Sequence, residues 1–141
     1  MNGATIKRLH SVYNFYLPEY RNIINKLDQY LKDTTEFKYQ IETAEDVSPT
    51  AHIIYLFGKK VTVDFTISPN SAGNYEAKGR IDFYYEHITN DPMCTLLFDH
   101  NEMDFEDNSY DNEINKSYRM ELKIINKLSK CVIERLENKT A

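Results

Sequence analysis

The period of the apolar residues changes twice along this chain, from helix spacing to strand spacing and back, and that order restricts the folds open to it. Ile6, Leu9, Tyr13, Tyr16, Tyr20, Ile23, Leu27 and Tyr30 return every three or four positions, flanked by Val12, Phe15, Leu17, Ile24 and Leu31. A stripe that wide suits a helix packed on a sheet better than a narrow coiled-coil seam. Pro18 lies inside it. Proline removes a backbone donor and crowds the preceding turn, so the pattern predicts an N-terminal helix kinked or broken at that residue. Near the other end, Ile114, Tyr118, Leu122, Ile125, Leu128, Val132 and Leu136 form a second stripe, predicting a helix from about Asp111 to Leu136.

Between the stripes the alternation is of strand type. Phe37, Tyr39 and Ile41 alternate with polar residues, and so do Val61, Val63, Phe65 and Ile67. In the strand expected over residues 51–57, Ile53, Ile54, Tyr55, Leu56 and Phe57 are apolar on both faces, and Gly58-Lys59 offers a type II′ connection to the next strand. A long strand is expected from Tyr75 to about Ile88, with Ile81, Phe83 and Tyr85 inward and Arg80, Asp82, Tyr84 and Glu86 outward. A short one follows from Cys94 to Phe98. The expected fold is therefore α+β: one two-layer domain over residues 1–141, with an antiparallel sheet of about five strands and both helices packed on one face. The outward positions, Lys38, Gln40, Thr62, Asp64, Thr66 and Lys78 among them, form either a solvated face or a docking surface.

Charge separates classes of partner. The 22 acids and 17 bases leave a net charge of -5, which opposes broad binding to nucleic acid or an anionic membrane. Seven of the 15 residues from Asp99 to Glu113 are acids and none is Lys or Arg, so that segment carries -7 and the remainder +2. Asp99, Glu102, Asp104, Glu106, Asp107, Asp111 and Glu113 supply the charge, with Met103, Phe105 and Tyr110 among them. Such a stretch reads as a contact surface for a basic partner, the apolar residues anchoring and the acids steering, or as a solvated connection.

Other constellations are weaker. Asp107, Ser109 and Asp111 have the alternation of a calcium loop, but the twelfth position is Tyr118 where a bidentate Glu is required. Asp64 with Glu76-Ala77-Lys78 resembles the Asp…Glu-x-Lys arrangement of restriction-type nucleases, in which carboxylates hold Mg²⁺ and the lysine positions water. The triplet carries little information, because Glu36, Glu121 and Glu137 also precede a lysine by two residues. His10, His52, His87 and His100 lack zinc-site spacing. Cys94 and Cys131 fall outside any C-x-x-C motif and are expected to be reduced core residues, although Cys94 beside His87 or His100 is an imaginable nucleophile pair.

No apolar run opens the chain as a leader would, which makes the cytoplasm the expected compartment. Thirteen Asn, 13 Ile and 12 Lys against six Ala suit an AT-rich genome, compatible with a bacterium or its mobile elements. The resulting expectation is a non-catalytic protein-binding module without cofactor or metal: a small acidic inhibitor, immunity or anti-defence protein docking on a basic partner. The alternatives are a Mg-dependent nuclease using Asp64, Glu76 and Lys78, and a secretion or assembly chaperone that forms a homodimer.

Overall fold

A computed structural model describes residues 3–34, 41–68, 77–88, 91–106, 114 and 119–138. Helix α1 (Gly3–Thr34) continues for 32 residues past Pro18, so it is not broken there. Asn14 and Pro18 are both exposed. The carbonyl that loses its donor to proline thus lies on the wet side of the helix, where water can take the missing bond.

Strands β1 (Glu42–Thr43), β2 (His52–Leu56), β3 (Lys59–Ser68), β4 (Lys78–Tyr85), β5 (Cys94–Phe98) and β6 (Met103–Phe105) precede helix α2 (Met120–Asn138). They form one six-stranded sheet in sequence order, every neighbouring pair antiparallel. The architecture is the expected α+β one, with one strand more than the pattern suggested. The strand not expected is β6, inside the acidic segment, while Phe37 and Tyr39 of the first expected strand lie outside the described residues and β1 begins only at Glu42.

Cross-strand register gathers the apolar residues onto one face. Val61, Val63 and Phe65 oppose Tyr85, Phe83 and Ile81, Ile81 opposes Leu96, and Leu96 and Phe98 oppose Phe105 and Met103. Tyr20, Ile23, Leu27 and Leu31 of α1 and Met120, Ile124, Leu128 and Val132 of α2 close over that face in a single core. Both helices therefore cover the same side. The buried line on α2 is rotated from the expected stripe, since Leu122, Ile125 and Leu136 are only part-buried. Ile114 and Arg119 lie outside the helix, which begins at Met120 rather than near Asp111.

The β2–β3 hairpin also turns one residue earlier than expected. Leu56 pairs with Lys59, leaving Phe57-Gly58 as the connection, with φ of 53° and 73°. Two positive φ angles define a type I′ turn, whose twist matches that of the strands. Phe57 accepts the left-handed conformation at a cost of about 1–3 kcal/mol.

One polar cluster is built into the core layer. The Tyr20 hydroxyl donates to the carbonyl of Thr50 and also contacts His52 Nδ1 at 2.7 Å, and the same imidazole nitrogen lies 3.0 Å from the Thr50 carbonyl. Burial holds the His52 pKa below 6.5, against the opposing influence of the Thr50 carbonyl and Asp64, with Arg21 adding to the depression. The folded state thus prefers neutral imidazole, while the unfolded chain takes up a proton near the ordinary value. The stabilisation is complete above about pH 6.5 and lost as pH falls from there towards the folded pKa, with a slope capped at about 1.4 kcal/mol per pH unit for one proton. Urea unfolding at about pH 7.5 and about pH 5.5 should show a larger loss for the native sequence than for His52→Gln; equal losses would remove His52 from the acid response.

Candidate functional site

Asp99 organises the start of the acidic segment. Its Oδ1 accepts the backbone N–H groups of Asn101 and Glu102 at 2.8 and 2.9 Å, while its own N–H donates to the Glu102 carbonyl at 2.9 Å. An aspartate whose side chain receives amides two and three residues on makes a tight turn, here the one joining β5 to β6. Met103-Asp104-Phe105 then resumes strand alternation. Met103 and Phe105 enter the core, 1% and 5% exposed. They cannot serve as surface anchors, which corrects the role the sequence suggested for them. Asp104 faces outward opposite Leu97.

The acids on either side of β6 are not a bare anionic face. Lys78 Nζ lies 3.5 Å from Glu102 Oε1 and 3.9 Å from Asp99 Oδ2, and Arg80 lies 3.6 Å from Glu106 Oε2. These pairs are solvent-exposed, and such pairs contribute at most about 1 kcal/mol. They are readily exchanged for other partners. Asp107, Tyr110, Asp111 and Glu113 lie outside the described residues, as does the whole Asp107-Ser109-Asp111 alternation.

A cleft of about 760 Å³ opens between α1 and the β5–β6 turn, lined by Arg8, Phe15 and Tyr16 on the helix side and by Lys78, His100 and Glu102 on the other. Phe15 is 56% exposed, unusual for so large an apolar side chain beside a formed core. Its ring meets His100 edge-on at 4.8 Å and Tyr16 edge-on at 5.1 Å, and Tyr16 in turn meets Phe98 at 5.6 Å. A file of rings thus ties the surface aromatic to the centre of the core. Burial, then the charges of Asp99 and Glu19, raise the Tyr16 phenol above its ordinary pKa, with Lys78 opposing. It stays protonated at neutral pH. Sequence reasoning found the carboxylates of this cleft and missed Phe15 as their aromatic partner. The available signal was that Phe15 stands beside the α1 stripe rather than on it.

The outward sheet face is the second surface. Asp64 and Asp82 stand directly opposite each other on β3 and β4, an arrangement that repels unless each charge is held. Thr50 and Ser48 hydroxyls donate to Asp64 at 2.6 and 3.3 Å; Thr95 donates to Asp82 at 2.6 Å, joined by Arg80 Nε at 3.0 Å. Both carboxylates are thereby occupied in joining neighbouring segments. Of the nuclease residues, Asp64 lies four residue positions along the ladder from the partner of Lys78, Ser68, about 13 Å at strand rise. The Lys78 amine is directed to Asp99 and Glu102 instead, and Glu76 lies outside the described residues. The two described members are not brought together.

Among the described residues no three His, Cys, Asp or Glu side chains cluster as metal ligands, and no helix is long and apolar enough to cross a membrane. No family model, curated protein or solved structure matches the chain.

Proposed function

We propose that this protein is a non-catalytic module that binds another protein by receiving a basic segment in the cleft between α1 and the β5–β6 turn. The supporting observation is the exposed Phe15 ring, held edge-on against His100 in a cleft it shares with Glu102 and Asp99. A guanidinium placed over the face of Phe15 gains cation–π attraction, and its N–H groups can replace Lys78 at the Glu102 carboxylate. Because Phe15 is braced by neighbouring rings, little side-chain entropy is left to lose on docking. The role that suits such a module is that of a small inhibitor, immunity or anti-defence protein in the cytoplasm, covering a basic functional surface of its target. The anchoring role that the sequence suggested for Met103 and Phe105 passes to Phe15; the steering role of the carboxylates stays with Asp99 and Glu102.

A fluorescent arginine-rich peptide and its serine-substituted counterpart test this by anisotropy. The arginine peptide should bind and the serine peptide should not, with Phe15→Ala and Glu102→Lys each weakening binding about tenfold, equivalent to about 1.4 kcal/mol. Both positions are exposed, so melting should hardly change. Equal binding by the variants would sink the proposal. Mg²⁺-dependent cleavage of plasmid DNA that is lost in Glu76→Ala would favour the nuclease, and a dimeric mass by light scattering before any partner is added would favour the chaperone.

A further inference from the structure

Cys94 and Cys131 are 37 positions apart in sequence, yet the fold brings them to one place. Cys94 is the first residue of β5 and Cys131 lies in the C-terminal half of α2; both are part-buried, and no disulfide joins them. Their side chains line one pocket of about 350 Å³ at the β6 side of the sheet, together with Thr95, Phe105, Lys127 and Glu134. Cys94 enters that pocket from the sheet and Cys131 from the helix, so the two thiols face the same space. Both are free thiols, in line with the sequence expectation, but part-buried at a pocket rather than sealed in the core. The fold also excludes the Cys94–His100 pairing, because His100 lies past the far end of β5, against Phe15.

We propose that Cys131 and Cys94 form a peroxide-sensitive thiol pair, Cys131 reacting first and Cys94 resolving the product into an internal disulfide that ties α2 to β5. Two features favour Cys131 as the first nucleophile. Lys127 and Arg135 flank it on its own helix, with Lys127 Nζ held 5.6 Å above the Phe105 ring at the pocket wall, while Glu134 opposes them. From the sheet side the charged groups at the pocket are Arg80 and Glu106, which are paired with each other at 3.6 Å. The hydrogen bond from Cys94, with the cations and against the cost of burial, brings the Cys131 thiol down to about 7. A substantial thiolate fraction is then present at neutral pH.

The chemistry balances with hydrogen peroxide as the oxidant. The Cys131 thiolate attacks one peroxide oxygen, the O–O bond breaks, and hydroxide leaves, giving a sulfenic acid. The Cys94 thiol, on losing its proton to solvent, attacks the Cys131 sulfur; an S–S bond forms, the S–O bond breaks, and hydroxide leaves again. The sum is two thiols oxidised by two electrons and one peroxide reduced to two waters. The pocket, at about 350 Å³, is large beside a molecule of two heavy atoms.

The intact protein, treated with one equivalent of peroxide at neutral pH and then alkylated, should lose both thiols and yield a peptide pair joined through Cys94 and Cys131, reversibly with dithiothreitol. Cys94→Ser should stop at a Cys131 sulfenic acid that dimedone captures. At about pH 7 a thiol with half its population ionised, against about 3% for an ordinary one, gains roughly threefold in rate once its lower intrinsic nucleophilicity is counted. Cys131→Ser should therefore consume peroxide at least about threefold more slowly. Cross-links between molecules, a dimedone adduct on Cys94 in place of Cys131, or both thiols still alkylated in full after peroxide would each overturn the proposal. The native-sequence cross-link needs no variant, so the outcome does not depend on either substitution folding.

Discussion

Phe98→Ala is expected to lower unfolding stability by about 3–5 kcal/mol, the range for deleting a fully buried aromatic ring. Phe98 is fully buried and stands where three elements meet: Tyr16 of α1 packs edge-on against it, Phe65 of β3 lies beside it, and Gly79 of β4 is its direct cross-strand partner. The ring lies over Gly79 so closely that a Cβ there would collide with the Phe98 side chain. Gly79→Ala alone should therefore cost about 1–3 kcal/mol, through displacement of the ring. The combination is the sharper test. With the ring gone, the added methyl group enters the vacated space, so the double variant should be more stable than the sum of the single losses by at least about 1 kcal/mol. Additive losses in denaturant unfolding would show that the ring does not occupy the glycine's space.

Leu128→Asp is expected to abolish cooperative folding at neutral pH, whereas Ile133→Asp should change stability by no more than about 0.5 kcal/mol. Leu128 is fully buried between α2 and the sheet, and a carboxylate there finds no cation among the described residues of the core. An unpaired buried charge costs several kcal/mol beyond the lost packing, against a total stability of about 5–15 kcal/mol. Ile133 is on the same helix and 41% exposed, so the same carboxylate remains in water. The contrast between two aspartates five positions apart reports directly on which face of α2 meets the sheet. Circular dichroism melts of the two variants would decide it, and similar losses in both would contradict the packing.

Binary patterning made the inward parity of β3, β4 and β5 legible, because each strand has enough residues for alternation to be unambiguous. It could not choose the β2–β3 turn. Connections at Phe57-Gly58 and at Gly58-Lys59 give registers two residues apart, and a shift of two returns every side chain to the same face. Nor could it find β6, whose three residues are too few to show a period and whose acidic neighbours imitate a solvated loop. On α2 several adjacent apolar positions allow more than one stripe, and contact with the sheet selected the line through Met120, Ile124, Leu128 and Val132.

The candidate site was legible only in part, for a related reason. The turn-forming role of Asp99 is local and could be read from Asp99-His100-Asn101. The partners of Glu102 and Glu106 are Lys78 and Arg80 on β4, and the aromatic beside them comes from α1, far away in the chain. By itself the sequence determined the layers, the two helices and the inward residues of the longer strands, because hydrophobic period is a property of neighbouring residues. Tertiary structure alone decided which acids are met by a cation, that Met103 and Phe105 are core, that Phe15 stands at the mouth of a cleft and that Cys94 and Cys131 line one pocket. Each of those depends on which distant segments lie side by side, and electrostatic and thiol chemistry act over separations in space, not along the chain.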